Sequence, residues 1–276
     1  MTFRVLAFPD LTVDGSFPLG GAVAAILIIN GVNPWLATLA ALGAGLCAGL
    51  GTSLLNTKLR INALLAGILM MVALYSINLL IMGRANIPLL RETTVFKQVA
   101  QFFGVGTGVT LSLVFVLVLT CIVLAILNWF LRTEIGLALR ATGENEQMVR
   151  SLGADTNMTT ILGVAISNGL VALSGALIAQ NQGFCDVGMG IGMIVMGLAS
   201  VIIGEGIFRP RGITAILLAV VGGSFAYRLF VGVALRLGLP PTNLKLITAV
   251  LVIIALAIPY IRKKIRHEWI PPAVRM

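Results

Sequence analysis

Acidic side chains are scarce in this chain: ten Asp and Glu among 276 residues, beside a single histidine, His267. That shortage bears on catalysis. A membrane enzyme needs an acid, a base or a set of metal ligands brought together. One histidine in the basic tail "IRKKIRHEW" and a few scattered carboxylates supply no such constellation. The three cysteines, Cys47, Cys121 and Cys185, show neither C-x-x-C nor metal-ligand spacing, so no disulfide framework is implied. Two of them lie in apolar runs, where a thiol acts as a small hydrophobe. No G-x-x-x-x-G-K-S/T motif occurs, so the chain carries no phosphate-binding loop of that type. No basic face with interleaved aromatics is present either, and this argues against nucleic acid as a partner.

What the chain has in abundance is apolar sequence. Hydrophobic residues make up 58% and charged residues 11%, with a mean hydropathy of +1.04. Long apolar runs with few charges read as membrane spans. They fall near residues 17–31, 34–55, 62–82, 107–131, 159–180, 187–204, 213–232 and 243–261. Most can cross a hydrocarbon core of roughly 30 Å at about 1.5 Å per residue. The first is short, reaching only about 22 Å, and the run at 187–204 is interrupted by glycines at its start. The expected fold is all-α: a polytopic membrane protein of about eight transmembrane segments, forming one domain over residues 1–276. Residues 1–132 are its first half, 133–158 a polar segment and 159–276 its second half.

Charge sets the orientation. With the C-terminus in the cytoplasm, the inner segments hold twelve of the nineteen Lys and Arg, and the outer loops six, with Arg4 unassigned. That two-to-one bias favours a cytoplasmic tail and a cytoplasmic 133–158 segment. Two stretches also resemble each other. "FPDLTVDGSFPLGGAV" (8–23) and "GFCDVGMGIGMIVMGLASVIIGEG" (183–206) each place an Asp in a Gly-containing irregular stretch, followed by a short apolar helix, a loop and a full span. The first short helix would run outward and the second inward, the pattern of inverted repeats with short broken helices. Ala37, Ala41, Gly45 and Gly49 recur every fourth residue, a spacing that lets helix backbones approach closely in lipid.

Four of the ten acidic residues fall within Thr133 to Asp155, a polar island between apolar runs. Inside it, Gly143 to Gly153 reads as a short surface helix of about three turns. Glu144 and Glu146 stand near its start and Arg150 near its end, as the helix dipole prefers, and Glu146 and Arg150 are spaced i,i+4. Gly153 suits a C-terminal cap. Met148, Val149 and Leu152 form an apolar patch. The helix could lie on the lipid headgroups, but its acids suit an anionic inner leaflet poorly. Docking on a cytoplasmic partner fits its charge better.

The order Glu134-Ile135-Gly136, Leu139-Arg140-Ala141-Thr142-Gly143-Glu144-Asn145 and Leu152-Gly153-Ala154-Asp155, followed by an apolar helix with "NGLVALSGAL", resembles the coupling region of ABC importer permeases of the branched-chain amino acid and ribose type. "FPDLTVDGSFPLGGAV" looks like the start of a subgroup assigned to aromatic amino acids and related solutes. The resemblance covers nearly the whole chain. It implies a multi-pass permease subunit of the cell inner membrane, importing a small polar solute, with an amino acid as the favoured class. It implies a second permease subunit in a homodimer, two cytoplasmic ABC ATPase subunits and an extracytoplasmic substrate-binding protein. The permease itself would carry no cofactor and no enzyme activity; ATP and Mg would sit on the ATPase. The island, through Glu144, Glu146, Met148, Val149, Arg150 and Leu152, would be the cytoplasmic coupling helix. Members of the family usually carry a further helix before "FPDLTVDG", whereas here "MTFRVLA" precedes it. Either the start codon is misplaced or that helix is absent, and the packing of Asp10 and Asp14 depends on which.

Carboxylates at membrane depth are costly and suggest function. Asp10 and Asp14 could line the solute path or cap the first short helix, with capping favoured for Asp14 because Gly15 and Ser16 follow it. Asp186, expected at the outer mouth, has the same two readings. Ser76, Asn78, Ser167, Asn168 and Ser174 could line a polar path or hold helices together by hydrogen bonds. Met189, Met193 and Met196, spaced i, i+4 and i+7, fall on one helical face; they could line a pliable apolar gate, though ordinary packing is favoured. The rival function is a secondary transporter or channel working without an ATPase, which gives the island no task.

Overall fold

The computed structural model describes residues 2–104, 108–208, 210 and 212–236, with positions 246, 248–250 and 253 beyond them. Most of the apolar run at 243–261, the basic tail with His267, and Arg209 and Arg211 lie outside the described residues. Among the described residues, six helices are long and apolar enough to cross a membrane, and one shorter apolar helix accompanies them. The protein is a polytopic helical membrane protein. Each of the first seven expected runs is found as such a segment.

The chain forms two compact units, 1–191 and 192–276. The first opens with α1 (Thr2–Val5), an irregular stretch and then α2 (Val13–Ile29). It continues with α3 (Pro34–Thr57), α4 (Ala63–Met82), strand β1 (Asn86–Pro88), α5 (Val95–Phe102) and α6 (Val109–Phe130). The polar island is α7 (Glu134–Glu144) and α8 (Glu146–Ser151). Helix α9 (Thr156–Gln182), strand β2 (Phe184–Asp186) and a 3-10 turn at Val187–Gly190 complete the unit.

Helices α2, α3 and α9 form its centre, and small residues explain why. A Cβ on Gly45 would lie 2.5 Å from the Asn168 carbonyl oxygen, and one on Gly49 would lie 2.6 Å from that of Val164. Cβ atoms on Gly20 and Gly175 would strike the carbonyl oxygens of Ala172 and Phe17. The predicted series Ala37, Ala41, Gly45, Gly49 is therefore the seam of α3 on α9, running antiparallel. Ala24, Ala41 and Ala176 meet where the three helices converge, all fully buried. In lipid, where apolar contact with tails costs nothing, such backbone proximity is a main source of packing.

Helix α9 fixes the frame. Its 27 residues span about 40 Å, with the island at its N-terminal end and β2 at the other. The strands β1 and β2 pair antiparallel, Asn86 opposite Asp186 and Pro88 opposite Phe184. Beneath them Ala22, Ile28, Met82, Ile87, Leu89 and Cys185 form the largest apolar cluster. Burial pushes the Cys185 thiol up to about 12, so it stays protonated and packs as a small hydrophobe.

In the second unit, α10 (Met193–Phe208) packs on α11 (Ile213–Arg236). Gly204 meets the Ala219 carbonyl and Gly223 the Ser200 carbonyl. The Tyr227 and Thr248 hydroxyls share a 2.7 Å hydrogen bond. The three methionines do not share a helix face. Met189 belongs to the 3-10 turn, and the chain turns at Gly192, with φ of +90°, before α10 carries Met193 and Met196. Only glycine adopts that backbone readily.

Candidate functional site

Two polar regions of the first unit hold many of the residues singled out in the sequence. One is the island and the other lies inside the bundle.

The island is not one helix from Gly143 to Gly153. Helix α7 ends at Glu144, and Asn145 takes an extended conformation with φ −155°. Its side-chain oxygen accepts the Met148 N–H at 2.9 Å and so caps α8. Asn competes with the helical backbone for such bonds, and this splits the expected three-turn helix into two elements. Thr133 caps α7 in the same way, through Gly136 N–H. Gly153 follows α8 with φ +84°, as expected of a C-terminal cap.

Glu144 lies exposed at the end of α7. The Arg150 Nη2 donates to Glu146 Oε1 at 2.7 Å, and both side chains are more than half exposed. Arg150 Nε also donates to Thr156 Oγ1 at 2.9 Å, and Thr156 donates to Glu146 at 3.2 Å. Thr156 is the buried first residue of α9. This bridge ties α8 to α9, and the sequence reading missed Thr156; the polar run "DTNMTT" after the island was its only signal. The apolar patch is divided. Met148 and Leu152 are 55% and 75% exposed, but Val149 is only 5% exposed. On so short a helix one residue of three must turn inward toward the neighbouring elements, and it is Val149. Below, α7 rests on α1 and α9. A Cβ on Gly143 would strike the Val5 carbonyl, and Leu6, Phe8, Leu139 and Val164 form a buried cluster.

The interior region forms where α2 begins. Ser16 Oγ donates to Asn168 Oδ1 at 2.6 Å, which places the second turn of α2 level with the middle of α9. Asn168 stands twelve residues into α9, about 18 Å from its start. Helix α2 therefore starts inside the bundle rather than at a membrane face. The stretch Phe8–Thr12 reaches that depth as irregular chain, and its polar groups need partners. Asp10, 3% exposed, supplies them. Its Oδ1 accepts the Thr12 N–H at 3.0 Å and its Oδ2 accepts Asn168 Nδ2 at 2.7 Å. Asn168 Nδ2 also donates to the Val164 carbonyl at 3.1 Å. Thr12 and Thr52 share a 2.8 Å hydroxyl bond, which brings α3 into the cluster. From α4, Asn78 Nδ2 donates to the Gly15 carbonyl at 3.1 Å; its buried Oδ1 has no hydrogen-bond partner among the described residues.

Asp10 and Asn168 are thus brought together, and Asn78 reaches the first turn of α2 from α4. Thr12, Ser16 and Thr52 join them, and only the i,i+4 spacing of Thr12 and Ser16 hinted at this. Asp14 is not the helix cap: Thr12 holds that position, and Asp14 sits in the first turn, where its charge complements the helix dipole. Ser76 and Ser174 lie on exposed faces. Asp186 lies at the far end of α9, its Oδ1 accepting the Gly188 N–H at 2.7 Å and its Oδ2 accepting Asn86 Nδ2 at 3.2 Å.

A model of the family described as "Branched-chain amino acid transport system / permease component" matches residues 1–257. The chain is 45% identical over 257 residues to a tyrosine transport system permease protein of Clostridioides difficile (strain R20291), covering 93% of this chain and 84% of that protein. It is 28% identical to the galactofuranose transporter permease protein YtfT of Escherichia coli (strain K12), over 90% of this chain and 71% of that one. With the ribose import permease protein RbsC of the same organism it shares 27% identity over 71% of this chain and 60% of that one. No solved structure matches the chain. A polytopic helical bundle with a short helix starting at membrane depth, a polar island at one end of its longest span and these relatives has one reading: the chain belongs to the branched-chain amino acid transport permease family and is a membrane-spanning permease component of an ABC importer.

Proposed function

We propose that this permease imports an amino acid, with tyrosine or a related aromatic solute as the first candidate. The observation that carries the solute class is the similarity to the tyrosine permease, which extends over nearly the whole chain. Two copies of the chain pair as a homodimer and act with two cytoplasmic ATPase subunits, which hold ATP and Mg. An extracytoplasmic binding protein delivers the solute. The island and the C-terminal tail face the cytoplasm, in keeping with the Lys/Arg bias.

In this reading α8 is the coupling element, and Met148 and Leu152 make its apolar contact with the ATPase. Their exposure beside a charged edge supports that role. Val149, being buried, holds α8 in place instead. Burying a side chain of this size stabilises an interface by roughly 1.5–3 kcal/mol. Leu152→Asp would remove that and put an unpaired charge into an apolar groove.

The test is a reconstituted complex of permease, ATPase and binding protein in proteoliposomes. Tyrosine uptake and tyrosine-stimulated ATP hydrolysis are expected from the native chain. Leu152→Asp should insert normally but retain less ATPase and lose the stimulation. Normal uptake, hydrolysis and ATPase retention by Leu152→Asp would remove α8 from the coupling role. A cysteine at Leu152, in a background lacking the native cysteines, should react with impermeant thiol reagents only from the cytoplasmic side.

A further inference from the structure

We infer that Asn168 is a positioning residue which fastens α2 to α9, so that a displacement entering at the island reaches the inner end of α2 without loss. The inference rests on the coupling role proposed for α8 and concerns how that displacement travels.

The path is continuous in named contacts. At its lower end, Glu146 and Arg150 of α8 bond to Thr156, and Thr142 of α7 shares a 3.1 Å hydroxyl bond with Thr159. Both threonines lie in the first turn of α9. Asp155 caps that turn, accepting from Asn157 and Met158 N–H groups at 2.9 and 3.3 Å. Twelve residues further, Asn168 spends its whole side chain on neighbours. One amide hydrogen goes to Asp10, the other to the Val164 carbonyl, and its oxygen takes the Ser16 hydroxyl. A side chain so occupied has little left to offer a passing solute. It holds both the irregular approach to α2, through Asp10, and the second turn of α2, through Ser16. Above it, Gly20 and Gly175 bring the two backbones into contact, which leaves no slack for sliding.

The same geometry reassigns Asp10. Its two oxygens face Thr12 N–H and Asn168 Nδ2, both within the protein. It serves as the other half of the brace rather than as a solute ligand. The pair itself is reversible in kind: with Asn at position 10 and Asp at position 168, an amide again faces a carboxylate and Ser16 still has an oxygen to donate to, and only the side-chain bond to the Val164 carbonyl is lost.

The experiment uses the full chain reconstituted with its ATPase and binding protein, and reads solute imported per ATP hydrolysed, with the ATPase complement measured in the same sample. A native complex lacking an ATPase or stimulation would fail the proposed function, not this inference. Given a working native complex, Asn168→Leu should lower the ratio by roughly two- to thirtyfold, the range over which residues between coupled sites act. Should Asn168→Leu fail to assemble, Ser16→Ala removes one bond of the brace and should lower the ratio less. The decisive variant is the exchange D10N/N168D. It should recover most of the ratio lost in D10N and in N168D singly. No recovery, with D10N alone weakening the half-saturating solute concentration, would make Asp10 a solute ligand and overturn the inference. An unchanged ratio in Asn168→Leu and Ser16→Ala would overturn it as well.

Discussion

Helices α6 and α9 are both long apolar spans, yet they are built for opposite surroundings. Helix α6, 22 residues of mean hydropathy 3.0 in its best window, has no residue buried within the described chain. Helix α9, at 2.0, has half of its window buried. The less hydrophobic span is the better packed one. In water that order would be reversed. In a bilayer the solvent is itself apolar, so Leu, Val and Ile mark the faces turned to lipid, and Gly, Ala, Ser and Asn mark the faces turned to protein. Hydropathy finds the spans; the interruptions in hydropathy show which of them form the centre.

The contrast is broken most severely by a side chain placed in the glycine seam. Gly49→Leu would drive a branched side chain into the backbone of Val164 and Ala165, which cannot move aside. Overpacking of this kind costs on the order of 3 kcal/mol or more. The expected outcome is loss of monodisperse protein on size-exclusion chromatography after extraction. A well-behaved Gly49→Leu would mean that α3 and α9 are not in contact through their backbones.

An intermediate effect is expected where α9 meets the island. Asp155→Ala removes a side chain that accepts two N–H groups and complements the helix dipole. The loss should be about 1–2 kcal/mol. Hydrogen exchange should quicken in the first turn of α9 and remain unchanged around Asn168, separating a fray at the end of the span from a failure of its centre.

The smallest effect belongs to α6. Leu117 is 64% exposed there, and Leu117→Ala should shift stability by no more than about 0.5 kcal/mol in detergent. A fall in melting temperature as large as that of a buried Leu→Ala change would show that α6 packs on protein, and the comparison with α9 would fail.

These contrasts also show which features the sequence made legible. The spans were, because length and hydropathy are local. So was the seam Ala37, Ala41, Gly45, Gly49, because a repeat of four marks one stripe of a helix. The division of the island at Asn145 was not: the same residue can continue a helix or cap the next, and packing decides. Val149 could not be told from Met148 and Leu152 for the same reason. The shortness of α2 and its flanking carboxylates hinted that it starts at depth, but what holds it there could not be read. It depends on Asn168, and nothing local to "FPDLTVDG" announces a partner so far along the chain.

That distance has a consequence for how the protein is made. Asp10 and Asn168 are separated by 158 positions. At roughly 5–20 residues per second, about eight to thirty seconds of synthesis separate the two. For that interval Asp10 has no Asn168 to answer its carboxylate, and α3 has no α9 to meet its seam. Until α9 emerges, the bonds and the glycine seam that hold these segments together are incomplete. The expected consequence is that the first spans to be synthesised reach their final packing only once α9 has emerged.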